Sequence, residues 1–192
     1  MNYMVKAIIF DFYGVIRSDE YHDWLKKHGF ESSMARKKAI DMNKGLMTID
    51  DFFQYLSKIS GIPAPDIQNE FQSKASLNAQ LLTLIIKLRS SYKIAILSNA
   101  SSSYLYDVLK KTAIDILFDE VIVSSEVGYI KPSEQIFNYA LEKLSIKADE
   151  AVFIDDNQKF VEAAKDLGLK GIHYKNINSL IKSLEAIGIM DT

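Results

Sequence analysis

Short apolar runs that stop abruptly on a polar group recur along this chain, and they constrain its fold more than any other feature. Ala7-Ile8-Ile9-Phe10 runs into Asp11, Ile94-Ala95-Ile96-Leu97 into Ser98-Asn99, and Ala151-Val152-Phe153-Ile154 into Asp155-Asp156. Runs this short and apolar at every position read as strands buried on both faces. From residue 93 onward they alternate with amphipathic helical segments. Strands are expected at Lys93–Leu97, Glu120–Val123, Ala151–Ile154 and Gly171–Tyr174, with helices at Ser101–Lys111, Ser133–Leu144, Lys159–Leu167 and Ile177–Ile187. That alternation predicts a parallel sheet covered by helices on both faces.

The first strand, Lys6–Phe10, stands apart from the others. Residues 17 to 90 contain no convincing strand, only helical segments with clear punctuation. Asp19–His28 stops at Gly29, and Ser33–Asn43 stops before Gly45. Thr48 with Asp51 begins a helix in the manner of a capping box, and Gly61 closes it. Asp66–Lys74 and Gln80–Leu88 complete the block. The expected fold is therefore α/β: a Rossmann-like, doubly wound parallel sheet core with an inserted all-helical cap. Residues 1–16 and 82–192 form the core and residues 17–81 the cap.

Composition narrows the function classes. The net charge of −2 gives no attraction to nucleic acid or to an anionic membrane, and no apolar run approaches a membrane span. Asp11 interrupts the early apolar stretch, which argues against a signal peptide. Cysteine is absent, which excludes disulfides, thiolate zinc sites and a cysteine nucleophile, and reads as a reducing, cytoplasmic setting.

In open α/β sheets, ligands bind beyond the carboxyl ends of the strands, where these polar groups fall. A buried strand that ends on a carboxylate is costly unless a metal, a cation or chemistry uses the charge. Asp11 can attack phosphorus and carry a covalent intermediate, or it can cap the following turn. The adjacent acids Asp155-Asp156 repel unless a cation lies between them, and Mg²⁺ takes one or two carboxylates plus carbonyl, water and phosphate oxygens. One of the pair can instead cap the next helix. Ser98-Asn99 offers a hydroxyl and backbone N–H groups to a phosphate, with a helix N-cap as the ordinary alternative. Lys131, in Gly128-Tyr129-Ile130-Lys131-Pro132, is by default a surface lysine, but beside these acids it would neutralise carboxylate and phosphoryl charge.

Other conspicuous residues read as structural. His22, His28 and His173 show no ligand spacing. Trp24 with Tyr21, Leu25 and His28 marks cap core, and Arg36-Lys37-Lys38 is a solvated helix face. A Ser-His-Asp triad has no nucleophile elbow to support it.

Four segments in order resemble the haloacid dehalogenase superfamily: Phe10-Asp11-Phe12-Tyr13-Gly14-Val15-Ile16, Leu97-Ser98-Asn99, Glu126 to Pro132, and Phe153-Ile154-Asp155-Asp156-Asn157. Val161-Glu162-Ala163-Ala164 and Leu167-Gly168 extend the likeness. The resemblance implies a Mg²⁺-dependent phosphatase of a small phosphorylated metabolite. Asp11 would be the nucleophile, Ser98 and Asn99 would bind the phosphoryl group, and Lys131 would neutralise charge. Mg²⁺ would sit among Asp11, the backbone carbonyl of Tyr13, and Asp155 or Asp156.

Tyr13 departs from the phosphatase pattern. Typical relatives carry a second aspartate there, which protonates the leaving oxygen. Tyrosine, with a pKa near ~10, is a poor proton-transfer group at neutral pH, and general acid–base assistance is worth ~10²–10⁴ in rate. Sugar-1-phosphates and acyl phosphates would suffer least. The haloacid dehalogenases themselves carry Asp-x-Tyr, which keeps a 2-haloacid dehalogenase as the alternative. They need no metal, however, and the acidic pair would serve no purpose in that reaction. A phosphometabolite-binding module without turnover is the third reading.

Overall fold

The computed structural model describes residues 4–30 and 33–190. Five parallel strands form one sheet in the order β3-β2-β1-β4-β5. They are β1 (Ala7–Phe10), β2 (Lys93–Ser98), β3 (Glu120–Val123), β4 (Ala151–Asp155) and β5 (Lys170–His173). The chain leaves β1 for β2 and β3 on one side, then crosses back to β4 and β5 on the other. The carboxyl end of β1 therefore lies at the topological switch point, where such sheets bind ligands.

Why the strands read as continuous apolar runs is visible in their surroundings. Alternate residues serve opposite faces. Ile8, Phe10, Ile94, Ile96, Val152 and Ile154 join one cluster with side chains of α5 (Ala79–Leu88), α6 (Ser102–Thr112) and α10 (Ile177–Ala186). Ala7, Ile9, Ala95, Leu97 and Phe153 join a second with α8 (Glu134–Leu144) and α9 (Gln158–Asp166). Each fully buried aliphatic or aromatic side chain contributes roughly 1.5–3 kcal/mol, so a polar substitution on either face of β1 costs fold stability.

Among the described residues, four helices lie between β1 and α5: α1 (Glu20–His28), α2 (Ser33–Asn43), α3 (Ile49–Ser60) and α4 (Ala64–Lys74). They share their own apolar cluster, which includes Trp24, Leu25, Phe52, Phe53, Leu56 and Phe71. Their ends are set by local chemistry. The Asp19 carboxylate caps α1 by accepting from the His22 N–H, and the Thr48 hydroxyl caps α3 by accepting from the Asp51 N–H. Gly29 and Gly61 end the same two helices in the left-handed conformation that glycine adopts without strain.

Three details differ from the sequence expectation. Residues Ser124–Val127 form a short helix, α7, directly after β3, where the sequence reads as loop. The last strand is Lys170–His173 rather than Gly171–Tyr174; the Tyr174 N–H still donates to Asp155 O at 2.9 Å, and its hydroxyl accepts from the Asn78 side chain at 2.6 Å. Finally, α5 packs on the sheet along its whole length, through Leu81, Leu84, Ile85 and Leu88. The return from cap to core accordingly runs through residues 76–78, where Asn78 N–H donates to Ile16 O and Ser18 N–H donates to Ser76 O. The two connecting segments lie side by side, with Arg17 bridging to Leu77.

Candidate active site

Register brings the strand ends together. Phe10 pairs with Ile154 on one side and Ile96 on the other, so Asp11 and Asp155 emerge next to each other and Ser98 emerges close by. The Asp11 N–H still donates to Ile154 O at 2.8 Å, which fixes its backbone as an extension of the sheet. Asp11 is 7% exposed and Asp155 fully buried.

Lys131 is not the surface lysine that its proline-containing loop suggests. It is 2% exposed, and its ammonium lies 2.8 Å from Asp11 Oδ1 and 2.6 Å from Asp155 Oδ2. The rings of Phe153 and Phe160 wall it in, with centroids 5.5 and 5.3 Å from Nζ. The Asn99 carboxamide holds the loop in place: its Nδ2 donates to Lys131 O at 3.0 Å and its Oδ1 accepts from Lys131 N at 2.8 Å. Sequence reasoning offers the Ser98-Asn99 backbone N–H groups to a phosphate; the Asn99 side-chain amide has a separate task, holding the Lys131 backbone.

The electrostatics follow from burial and neighbours. Burial pushes the Asp11 carboxyl up; Lys131 offsets part of that, Asp155 and Asp156 add to it, and the result is about 7. Burial alone would lower Lys131, but Asp11 and Asp155 outweigh it and hold the ammonium above its usual range. Lys131 therefore remains charged at neutral pH. Asp156 is raised by burial, then by Asp155 and Asp19. One carboxylate oxygen from each of Asp11, Asp155 and Asp156 lies within 4.8 Å of the others. Three acids facing one lysine leave negative charge in excess, and that donor set fits a hard divalent cation. Asp155 is engaged at both oxygens, by Lys131 and by the Asn157 N–H at 2.8 Å. Asp156 is exposed and holds the remaining open capacity.

Gly14 explains why the turn after Asp11 has no side chain. Its φ is +86°, and a Cβ there would overlap the Asp156 carboxylate. Ser98 Oγ is buried with no hydrogen-bond partner. Such a group calls for an explanation, and an absent acceptor at the strand end supplies one. The expectation that Ser98-Asn99 sits at a helix N-terminus needs correcting: α6 begins only at Ser102, with Ser101 as its N-cap.

Tyr13 points away from proton chemistry. Burial raises its phenol above the ordinary value, with Arg17 opposing. The Arg17 guanidinium lies over the Tyr13 ring at 5.5 Å and over the Tyr104 ring at 5.8 Å. It also pairs with Glu20 Oε2 at 2.9 Å and donates to Phe71 O at 3.5 Å. Arg17 thus ties two core aromatics to two cap helices. Sequence reasoning missed it, although an arginine six residues after a strand-end acid, next to a cap helix, was available as a signal. It also missed Ser124, which the strand-end rule applied to β3 would have found. The Ser124 hydroxyl accepts from the Ala100 N–H at 3.0 Å and donates to Asn43 O at 2.6 Å, joining the Ser98 loop to the cap.

A chamber of about 1070 Å³ opens between these strand ends and the cap, lined by Asp11, Ser98, Lys131 and Asp156 at one end and by residues of α1–α4 at the other. His22 and His173 both border it. The His22 ring nitrogen lies 2.5 Å from Asp19 Oδ2, and His173 Nε2 lies 2.9 Å from Asp156 O.

Fold and site together define a hydrolase of the haloacid dehalogenase type. A family model described as haloacid dehalogenase-like hydrolase matches residues 8–174, and the chain belongs to that family. A D-ribitol-5-phosphate phosphatase of Bacteroides thetaiotaomicron is 24% identical over 196 residues, covering 90% of this chain and 93% of its own. Bifunctional epoxide hydrolase 2 of Mus musculus is 28% identical over 165 residues, 79% of this chain; the match spans only 29% of that longer protein. Among solved structures, a family enzyme from Bacteroides thetaiotaomicron in complex with magnesium and inorganic phosphate superposes with a TM-score of 0.73 at 24% identity, over 89% of this chain and 94% of the other. An L-2-haloacid dehalogenase from Xanthobacter autotrophicus, with chloropropionic acid covalently bound, gives 0.66 at 20% identity, over 97% and 85%. Among the described residues, no helix is long and apolar enough to cross a membrane.

Proposed function

We propose that this chain is a Mg²⁺-dependent phosphatase of a small phosphorylated metabolite, acting through an aspartyl-phosphate on Asp11. The observation that carries the reading is the Asp11–Lys131–Asp155 array beside Asp156. A carboxylate able to attack phosphorus, a buried ammonium and surplus carboxylate charge together at adjacent strand ends support it. The phosphatase relative and the magnesium and phosphate complex of the similar structure support the same assignment.

The residues divide the work. Asp11 and Asp156, with the Tyr13 carbonyl, would hold the ion, while Asp155 chiefly holds Lys131. When bound, Mg²⁺ orients the phosphate and offsets its charge. An Asp11 carboxylate oxygen attacks phosphorus and the ester P–O bond breaks, its electron pair leaving with the departing oxygen. With no acid at position 13, that oxygen takes its proton from water. Ser98 donates its unpartnered hydroxyl to a phosphoryl oxygen, and Lys131 neutralises a second as charge builds. A water then attacks phosphorus, releasing inorganic phosphate and freeing Asp11.

A second reading rests on Tyr13, which gives the Asp-x-Tyr pattern of 2-haloacid dehalogenases. One experiment separates the two: a panel of phosphorylated metabolites and 2-haloacids, assayed with Mg²⁺ and with chelator. Phosphate release that chelator abolishes and Mg²⁺ restores is expected. Chelator-resistant halide release from a 2-haloacid would replace the phosphatase reading.

A further inference from the structure

The chamber has two chemically different ends, and the cap end describes what is attached to the phosphate. Its charged side chains nearly balance in number, and four of them are paired. Arg17 is bound to Glu20, and His22 to Asp19. Counting the charges that line this end, the two arginines, Arg17 and Arg36, face three acids, Asp19, Glu20 and Asp23. With His22 charged the balance is zero, and with His22 neutral it is negative. Neither state gives this end a net positive charge to attract a second anionic group.

The uncharged wall is apolar. Phe52 and Phe53 form its buried floor, and Ile49 and Met42 border it half-buried. Ile40 borders it with 42% of its surface exposed. From the core, Ile130 and Phe160 complete the ring. Apolar surface left facing water inside a concave site marks where hydrocarbon binds, since covering it removes that surface from water. The volume, about 1070 Å³, is far larger than a phosphoryl group and a short polyol require.

We infer that the substrate is a phosphate monoester whose leaving group is bulky, apolar and uncharged, held against Ile40, Ile49 and Phe53, and that phosphorylated carboxylates and bisphosphates are disfavoured by a cap end with no net positive charge. The inference rests on the phosphatase reading for its chemistry, but its recognition element is separate from the acid cluster.

The test is a series of 4-alkylphenyl phosphates, from 4-methyl to 4-pentyl, assayed with Mg²⁺. Their leaving oxygens are matched, so only apolar length varies. kcat/KM should rise about fourfold per added methylene until the chamber is filled. A 4-carboxyalkyl ester of equal length should fall at least tenfold below its methyl-terminated counterpart. Ile40→Ser and Ile49→Ser should flatten the rise. A flat or falling series, a preference for the carboxylate, or a slope that both variants leave intact would overturn the inference. If no ester, the 4-methyl one included, is hydrolysed by the folded protein, the phosphatase reading fails instead. Calorimetric titration with alkylphosphonates of increasing length then decides the chamber's preference: affinity that does not rise with length overturns it.

Discussion

The two walls of the chamber treat charge in opposite ways. On the core wall, Asp11, Asp155 and Asp156 share one lysine, so the arrangement is left short of positive charge. On the cap wall Arg17 pairs with Glu20 and His22 with Asp19, Arg36 and Asp23 add one charge of each sign, and much of the remaining surface is hydrocarbon. A wall that is electrostatically unfinished is built for an ion and a phosphoryl group to complete it. A wall whose charges are already satisfied can only discriminate by shape and apolarity. Chemistry and selection are thus separated by region, and each can be perturbed without the other.

The largest effect should come from the core wall. Asp11→Asn keeps the shape of the nucleophile and removes its anion, so turnover should drop to background, a loss on the order of 10⁴-fold or more. Circular dichroism and a melting curve verify that the variant is folded. Undiminished phosphate release by a folded Asp11→Asn protein would end the assignment.

Lys131→Met comes next and tests both halves of the charge argument. Without the ammonium, turnover should fall about 10²–10³-fold. Two buried carboxylates would lose their partner, at roughly 3–5 kcal/mol of stability in metal-free buffer. Since Asp11, one of the two, is held to bind Mg²⁺ and Asp155 borders the same acid cluster, the ion should recover more melting temperature in this variant than in the parent. An equal Mg²⁺ increment in both proteins would separate Lys131 from the metal site.

How much of this was legible in the sequence divides along the same line. The strands, their polar ends and the helical cap follow from local pattern, because residues buried on both faces leave nothing but apolar runs. Asp11, Ser98 and Asp155-Asp156 were legible for the same reason, each standing where such a run stops. Lys131 was visible only through its company. Nothing in Ile130-Lys131-Pro132 reveals that Asn99, 32 residues earlier, folds the loop inward. That the Asn99 side-chain amide faces this loop is likewise invisible in the sequence, which offered only its backbone N–H to a ligand. The position of Arg17, six residues after a strand-end acid, was legible, but its contacts were not: they join segments whose approach depends on how the cap docks, and long-range packing leaves no periodic trace.

The cap wall gives the third test, in stability rather than rate. Arg17 and Glu20 are both nearly inaccessible, at 5% and 6% exposure. Arg17→Met alone leaves the buried Glu20 with the Ser18 hydroxyl but no cation, and should cost roughly 3–5 kcal/mol in urea unfolding. The double variant Arg17→Met with Glu20→Leu removes both charges together and should recover most of that loss. Additive losses in the cycle would mean that the two residues act independently, and the picture of a self-compensated cap wall would fail.

The smallest effect is expected at the seam between the walls. A carboxyl group at position 13 would stand two residues after the nucleophile, where it could protonate the departing oxygen. By itself that argues for a gain of up to ~10²-fold or more on alkyl phosphates, whose leaving group needs a proton. The structure sets a limit on it. The Arg17 guanidinium that lies 5.5 Å from the Tyr13 ring would face the new carboxylate, and a nearby cation favours the ionised form, which cannot donate. Tyr13→Asp also removes a ring on which Arg17 rests, so part of any gain is spent on a looser cap. The expected increase in kcat on a simple alkyl phosphate is therefore below about tenfold, with almost none on an aryl phosphate, whose oxygen leaves unassisted. Measuring both substrates on both proteins separates the causes. Equal gains on the two would point to space released by the lost ring, whereas a gain on the alkyl ester well above tenfold would show that Arg17 does not control the ionisation of position 13.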